Sequence, residues 1–293
     1  MNDDVIRVIR TGLGASLQDL GRPGYARFGI PPGGVMDDHA AGWSNRLLGN
    51  PPETPVLELL MQGAHLEVLN TTWLALTGGD SHCNLPLWRV LRAHKGEQIV
   101  FPHSRKGLWS YLAIDGGFSA PKYFGSASVY PRGRIGTPLT NGAILSRTTP
   151  PSLTILPDGV AGRVAAVEEQ RDYANPPPIR LWRGPQWELF QPPDRARFLD
   201  QLWTVSPQSD RVGYRLAGER LSPTHPQIPS EPVLVGSIQV PPVGQPIVIM
   251  RDGPTVGGYP KIGLVDPSDI SWLAQCRPGT SVRFTLVGDD ETD

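Results

Sequence analysis

Glycine and proline interrupt this chain more often than a long helix tolerates. There are 33 glycines and 32 prolines, 65 of 293 residues, or about 22% where average usage gives about 12%. No run of apolar residues exceeds four. Coiled coils and long helical bundles are excluded, because each Pro removes a backbone donor and each Gly costs chain entropy inside a helix. With 39% hydrophobic and 19% charged residues the chain still has the means to build a core, so a disordered acidic or basic protein is excluded too. The pattern predicts an all-β fold of many short strands and tight turns, with a few short helices. The length allows one large or two ordinary domains.

The charge balance narrows the partners. Net charge is −1 and the isoelectric point about 6.6, so no basic excess points to nucleic acid or to a membrane surface. Cys83 and Cys276 stand 193 positions apart and form no CxxC, and the six histidines show no metal-ligand spacing, so neither a disulfide framework nor a metal is expected. The segment from Met1 to Arg7 has no signal-peptide core, and a cytoplasmic location is expected.

Strand-like runs, rich in β-branched and aromatic residues and bounded by turn formers, occur at Ile6–Ile9, Val56–Leu60, His65–Leu69, Trp73–Thr77, Gln98–Phe101, Ser110–Ile114 and Leu153–Leu156. They continue at Ile179–Trp182, Leu202–Val205, Val233–Val235, Ile247–Met250 and Val282–Leu286. Three helices are predicted. Asp37–Leu48 sets Ala40, Trp43 and Leu47 on one face and stops at Gly49; Asp194–Leu202 gathers Phe198, Leu199 and Leu202; Ser268–Gln275 follows a Pro-Ser-Asp cap signal. No βα alternation supports a Rossmann-type sheet.

The charged, proline-rich stretch from Glu168 to Pro178 reads as a linker, giving domains at 1–167 and 179–293. The two parts look like diverged copies. Arg22-Pro-Gly-Tyr25 matches Arg211-Val-Gly-Tyr214; Glu58, Gly63 and Leu74–Asp80 match Glu231, Gly236 and Ile247–Asp252; and Gly96–Phe101 matches Gly279–Phe284, in the same order. Two related β-barrels are expected, with a cleft between them as the default place for a site.

Walker-type, zinc-protease and serine-hydrolase motifs are absent from the sequence. Two regions are denser in polar and glycine residues than packing requires. In Gln18–Asp37, five glycines let backbone amides approach a ligand or make tight turns, and they carry Arg22, Tyr25 and Asp37. The alternative is that Asp19 and Arg22 organise the loop internally and Asp37 caps a helix. The second region comprises Ser209–Arg215, Ser230-Glu231, Gly236–Pro242 and Asp252–Lys261. It supplies Arg211 and Arg215, suited to a carboxylate, and Asp210, Glu231 and Asp252, suited to proton transfer. It also supplies Gln239, Tyr259 and Lys261, suited to holding an amide or an anion. A structural ion-pair network closing a barrel is the competing reading.

The strings QDLGRPGY, GGVMD, LTGGD, SDRVGYRL, SEPVLVGSIQVPP and TVGGYPKIG resemble the allophanate hydrolase subunit 2 family, and the resemblance runs from about Ile6 to Leu286. That family includes the C component of 5-oxoprolinase, the antagonist of the sporulation kinase inhibitor KipI, and subdomains A and B of the urea carboxylase carboxyltransferase domain. Departures are small: Pro32 and Val35 lie in the GGVMD region, and Gly79 stands where many relatives have Ala.

The resemblance implies two cyclophilin-like β-barrel subdomains, related by internal duplication and equivalent to carboxyltransferase subdomains A and B. It further implies a B component, similar to KipI and to allophanate hydrolase subunit 1, that supplies the remaining subdomains. An A component would act as the lactam hydrolase. A chain of this length looks most like the C component of 5-oxoprolinase, opening 5-oxoproline to glutamate with ATP and inactive alone. The nucleotide site is not located by any motif, and no biotin-attachment motif is present. On this resemblance the substrate is a small amide or lactam. Arg211 and Arg215 are expected to bind its carboxylate, and Asp210, Glu231 or Asp252 to act in proton transfer. Gln239, Tyr259 and Lys261 are expected to orient the amide or a phosphorylated intermediate, while Arg22, Tyr25 and Asp37 would complete the substrate-binding set. The alternatives are a biotin-dependent carboxyltransferase component and a non-catalytic antagonist of a kinase inhibitor.

Overall fold

The computed structural model describes residues 3–80, 82–103, 105–148 and 162–288. The run expected as a strand at Leu153–Leu156 lies outside them. Two compact units are formed, Met1–Arg22 with Gly33–Tyr173, and Pro23–Pro32 with Ala174–Asp293.

The first unit has two antiparallel sheets. One carries, in spatial order, β2 (Ala15–Gln18), β3 (Val56–Leu60), β8 (Lys106–Ile114), β5 (Thr72–Asp80) and β6 (Arg89–Ala93). The other carries β7 (Gln98–Val100), β4 (Ala64–Val68), β1 (Asp4–Thr11) and β9 (Ile144–Ser146). Val5, Val8, Leu66 and Val68 of the smaller sheet share one core with Leu57, Leu74, Leu76 and Leu112 of the larger. Strand β5 is buried almost end to end because helix α1 (Asp38–Leu48) covers the sheet's other side, against β5 and β8. The helix starts where Asp37 accepts the Ala40 N–H (2.9 Å) and stops at Gly49 in the left-handed conformation (φ 74°). Ala40 and Leu47 are buried as expected, whereas Trp43 is only half-buried.

The second unit is an eight-stranded sheet in the order β18 (Ser281–Val282), β11 (Trp203–Val205), β12 (Gly213–Ala217), β15 (Ile247–Ile249), β14 (Ser237–Gln239), β17 (Lys261–Val265), β10 (Ile179–Arg183) and β19 (Phe284–Leu286). Its two edge strands are consecutive pieces of one segment, separated by Arg283 alone, so the sheet curls into a nearly closed barrel. Alternation sets the inside: Ile179 and Leu181 of β10 are buried, while Arg180 and Trp182 face out. Helix α2 (Pro192–Asp200) lays Phe198 on Phe284, ring centroids 5.0 Å apart, and α3 (Ile270–Ala274) gives its last carbonyl to the buried Tyr214 hydroxyl (2.6 Å). A separate ribbon pairs β13 (Glu231–Pro232) with β16 (Val256–Gly257).

The structure corrects several expectations. Val233–Val235 does not form a strand: Leu234 is exposed, and its carbonyl accepts Ser237 N–H (3.1 Å) across a turn through Val235 and the left-handed Gly236 (φ 89°). Helix α2 begins earlier than expected, since a proline fits a helix's first turn, and it ends before Leu202, which is exposed. The stretch read as a linker is partly structured: Val167–Glu169 forms a single 3-10 turn, and Tyr173 is buried in the first unit. Two residues matched in the repeat lie in strands with different neighbours: Glu58 lies in β3, between β2 and β8, whereas Glu231 lies in β13, which pairs with β16.

Candidate active site

Strand pairing in the second unit assembles four polar side chains from separate parts of the sequence. In the β14–β17 pair Gln239 lies opposite Lys261, which puts both side chains on one face. The β13–β16 ribbon sets Glu231 opposite Gly257. Lys261 Nζ donates to Glu231 Oε1, and the Gln186 side-chain N–H donates to the same oxygen (2.8 Å). The Lys261 side chain is buried and Glu231 is about one-third exposed (35%). The Lys261 ammonium, helped by Gln186, holds the Glu231 carboxyl below the usual carboxylate range despite its partial desolvation.

Glycine makes this convergence sterically feasible. A Cβ on Gly257 would stand 2.5 Å from Gln239 Nε2, and one on Gly184 would stand 2.2 Å from the Lys261 carbonyl. The Gln239 amide nitrogen is buried without a hydrogen-bond partner among the described residues, a cost that packing alone does not explain. Beside the pair lies a cavity of about 250 Å³. Glu231, Lys261 and Ser237 form its polar wall, and Pro185, Leu234 and Leu264 contribute apolar surface.

The other expected residues are placed differently. Arg211 binds Asp252 with two hydrogen bonds, 2.8 and 3.1 Å, and both are largely buried. Asp210 accepts from Val212 N–H (2.8 Å) and Gly213 N–H (3.2 Å), an Asx turn that shapes its own loop. Arg215 projects from β12 with an exposed side chain, and Tyr259 is partly exposed after Gly257-Gly258.

In the glycine loop of Gln18–Asp37, the structural reading is the one the bonds display. Asp19 accepts from Gly21 N–H (2.8 Å), Ala127 N–H (2.7 Å) and the hydroxyls of Ser126 and Ser128. Of the loop's own backbone amides, Gly21 N–H thus serves an internal carboxylate. Arg22 is buried and donates to the Ser128 carbonyl. Asp37 caps α1 and accepts from the Tyr173 hydroxyl (2.7 Å). Tyr25 is half-buried, its ring 6.5 Å from the Phe28 ring.

Gln186 is the member of the site that sequence reading missed. Its signal was the Gly184-Pro185 break directly after a strand. Burial pushes the thiols of Cys83 and Cys276 up, to about 11 and about 12, which favours the protonated thiol at neutral pH. Among the described residues no cluster of His, Cys, Asp and Glu could hold a metal ion, and no helix is long and apolar enough to cross a membrane.

This fold and its sequence motifs define a class. Residues 28–286 match the family model described as carboxyltransferase domain, subdomain A and B, and the chain belongs to that family. Two curated relatives are named as the C subunit of 5-oxoprolinase. The one from Haemophilus influenzae is 31% identical over 94% of this chain and 89% of its own length, and the one from Escherichia coli K12 is 33% identical over 98% and 93%. Among solved structures, TTHA0988 is 32% identical with a TM-score of 0.83, over 97% of this chain and 55% of that one. The Kluyveromyces lactis urea amidolyase is 25% identical with a TM-score of 0.89, over 98% of this chain and 19% of that one. The chain therefore spans about half of the first solved relative and a fifth of the second.

Proposed function

We propose that this protein is the C component of an ATP-dependent 5-oxoprolinase that opens 5-oxoproline to glutamate in the cytoplasm, together with the A and B components. The observation that carries this reading is the end-to-end match to two relatives of that name and of similar length. In the reaction one water adds across the lactam C–N bond, hydroxyl to carbon and proton to nitrogen, and a second water is consumed as ATP becomes ADP and phosphate.

The Glu231–Lys261 pair suits this substrate. A lactam presents its C=O and N–H on the same edge. Lys261 supplies a donor for the carbonyl oxygen, and the second oxygen of Glu231 supplies an acceptor for the N–H. Arg215, exposed on β12, can take the substrate carboxylate. Arg211 is committed to Asp252, so its part is to brace the loop.

A phosphate cradle is not evident among the described residues, so the nucleotide is assigned to a surface completed by a partner. Positioning and charge stabilisation dominate phosphoryl chemistry, and one buried lysine provides little of either. The chain alone is therefore inactive, and a partner-binding surface on the order of 1,600 Å² is expected.

The test is 5-oxoproline-dependent ATP hydrolysis by the chain alone and by the chain mixed with the A and B components. Activity appearing only in the mixture supports the reading. Turnover by the chain alone at about 1–10³ s⁻¹ would overturn it. A second reading, a component of a biotin-dependent carboxyltransferase, is favoured by the TM-score of 0.89 to urea amidolyase. It would be supported by carboxyl transfer to urea when a biotin carboxylase and biotin carrier are supplied.

A further inference from the structure

Beyond the pair itself, the structure shows how the pair is held. Strand β10 ends at Arg183, yet the chain keeps bonding to β17 past that end. Gly184 N–H donates to the Ile262 carbonyl (3.0 Å), and Gln186 N–H donates to the Lys261 carbonyl (3.3 Å). The Gln186 side chain then grips two different elements. Its carbonyl oxygen accepts the Lys261 backbone N–H (3.1 Å), and its amide N–H donates to Glu231 Oε1 (2.8 Å). Glu231 stands on the short β13–β16 ribbon and Lys261 on the barrel strand β17. A two-residue strand is a poor anchor for a charged side chain by itself.

We propose that Gln186 is a positioning residue, tying Glu231 to the strand that carries Lys261 so that one carboxylate oxygen is consumed internally and Oε2 is left for a ligand. Among the described residues Oε2 has no protein partner, whereas Oε1 has two. Gly184 is what permits the reach, since any side chain there would collide with the Lys261 carbonyl. Of the elements packed around Glu231, the charged group facing it is Lys261 and the neutral donor is Gln186. Removing Gln186 withdraws a bond made to the ionised carboxyl, so the Glu231 titration moves up. The importance of this brace for turnover rests on the function proposed above; the brace itself does not.

The experiment follows the side-chain carboxyl ¹³C resonance of Glu231 against pH in the full-length chain, assigned by its loss in Glu231→Gln. Gln186→Met keeps the length of the side chain and removes both bonds. An upward shift of the midpoint is expected, smaller than the shift in Lys261→Met. Gln186→Glu should shift it further than Gln186→Met, because two carboxylates would share the position. A midpoint in Gln186→Met unchanged from the parent, while Lys261→Met moves it, overturns the proposal. In the assembled complex the acid limb of the pH–rate profile should move up with the NMR midpoint. A moved midpoint with an unmoved limb leaves the brace standing and counts against Glu231 as the working carboxylate.

Discussion

Each unit holds a carboxylate network, and the two are built to opposite specifications. In the first unit Glu58 and Asp37 are both fully buried. Glu58 Oε2 accepts from Met36 N–H (2.7 Å) and from the Tyr111 hydroxyl (3.0 Å), and that hydroxyl accepts the Asp37 N–H (2.7 Å). In the second unit Glu231 is partly exposed, and its cation and its amide brace meet on a single oxygen beside a cavity. The same residue type serves packing where it is sealed by donors and is available for chemistry where it is not. Polar density in the sequence marks both networks and cannot separate them. Burial and the distribution of donors do.

The sharpest way to break this contrast is Glu231→Gln in the assembled enzyme. A loss of about 10²–10⁴-fold in turnover is expected, the range for removing a general acid or base, with a stability loss smaller than that of Arg211→Ala, because the buried Lys261 loses its counter-ion but keeps an amide oxygen as acceptor. Steady-state rates and urea denaturation of the same preparation decide it. Arg211→Ala tests the opposite class. It strands Asp252 as a buried, unpaired charge, so a stability loss of about 3 kcal/mol is expected by denaturation. Stability equal to the parent would return Arg211 to the ligand-binding set.

A smaller loss belongs to Tyr111→Phe, which strips partners from Glu58 and from the Asp37 amide. About 1–3 kcal/mol is expected by urea unfolding, and an unchanged midpoint would show the network to be dispensable. The pH dependence is gentler still. Burial first, then Glu58 and Asp37, push the Tyr111 hydroxyl well above its ordinary value, and burial with Asp37 does the same for Tyr173. Both are raised relative to the unfolded chain, so their contribution is whole below about pH 10 and is lost as pH rises beyond it. Melting temperatures between about pH 8 and 11 should fall in the parent, and fall less in Tyr111→Phe.

Much of the fold was legible because the governing signals are local. Val56–Leu60, Trp73–Thr77 and Ile179–Trp182 are β-branched and aromatic runs ended by turn formers, and each lies in a strand. Asp37 and Gly49 marked both ends of α1 through backbone bonds made within a few residues. Lys261–Val265 escaped notice because its Gly263 and its central barrel position break alternation. At the site, Glu231, Gln239 and Lys261 could be nominated from their types and the glycines beside them. Their union depends on strand register between segments far apart in the chain, which residue types do not reveal. In sequence Arg211 looks like a carboxylate-binding residue and Asp252 like a proton-transfer residue, and only their mutual geometry shows them paired with each other. Arg22 is likewise buried rather than presented.

The open pair, and not the sealed network, is held to do the chemical work. Turnover of 5-oxoproline by the complex assembled with the A and B components tests this most directly, comparing Lys261→Met with Tyr111→Phe at a temperature where both remain folded. Lys261→Met is expected to bind its partners normally and lose turnover, while Tyr111→Phe turns over close to the parent rate. Retained turnover in Lys261→Met, with turnover abolished in folded Tyr111→Phe, would contradict it.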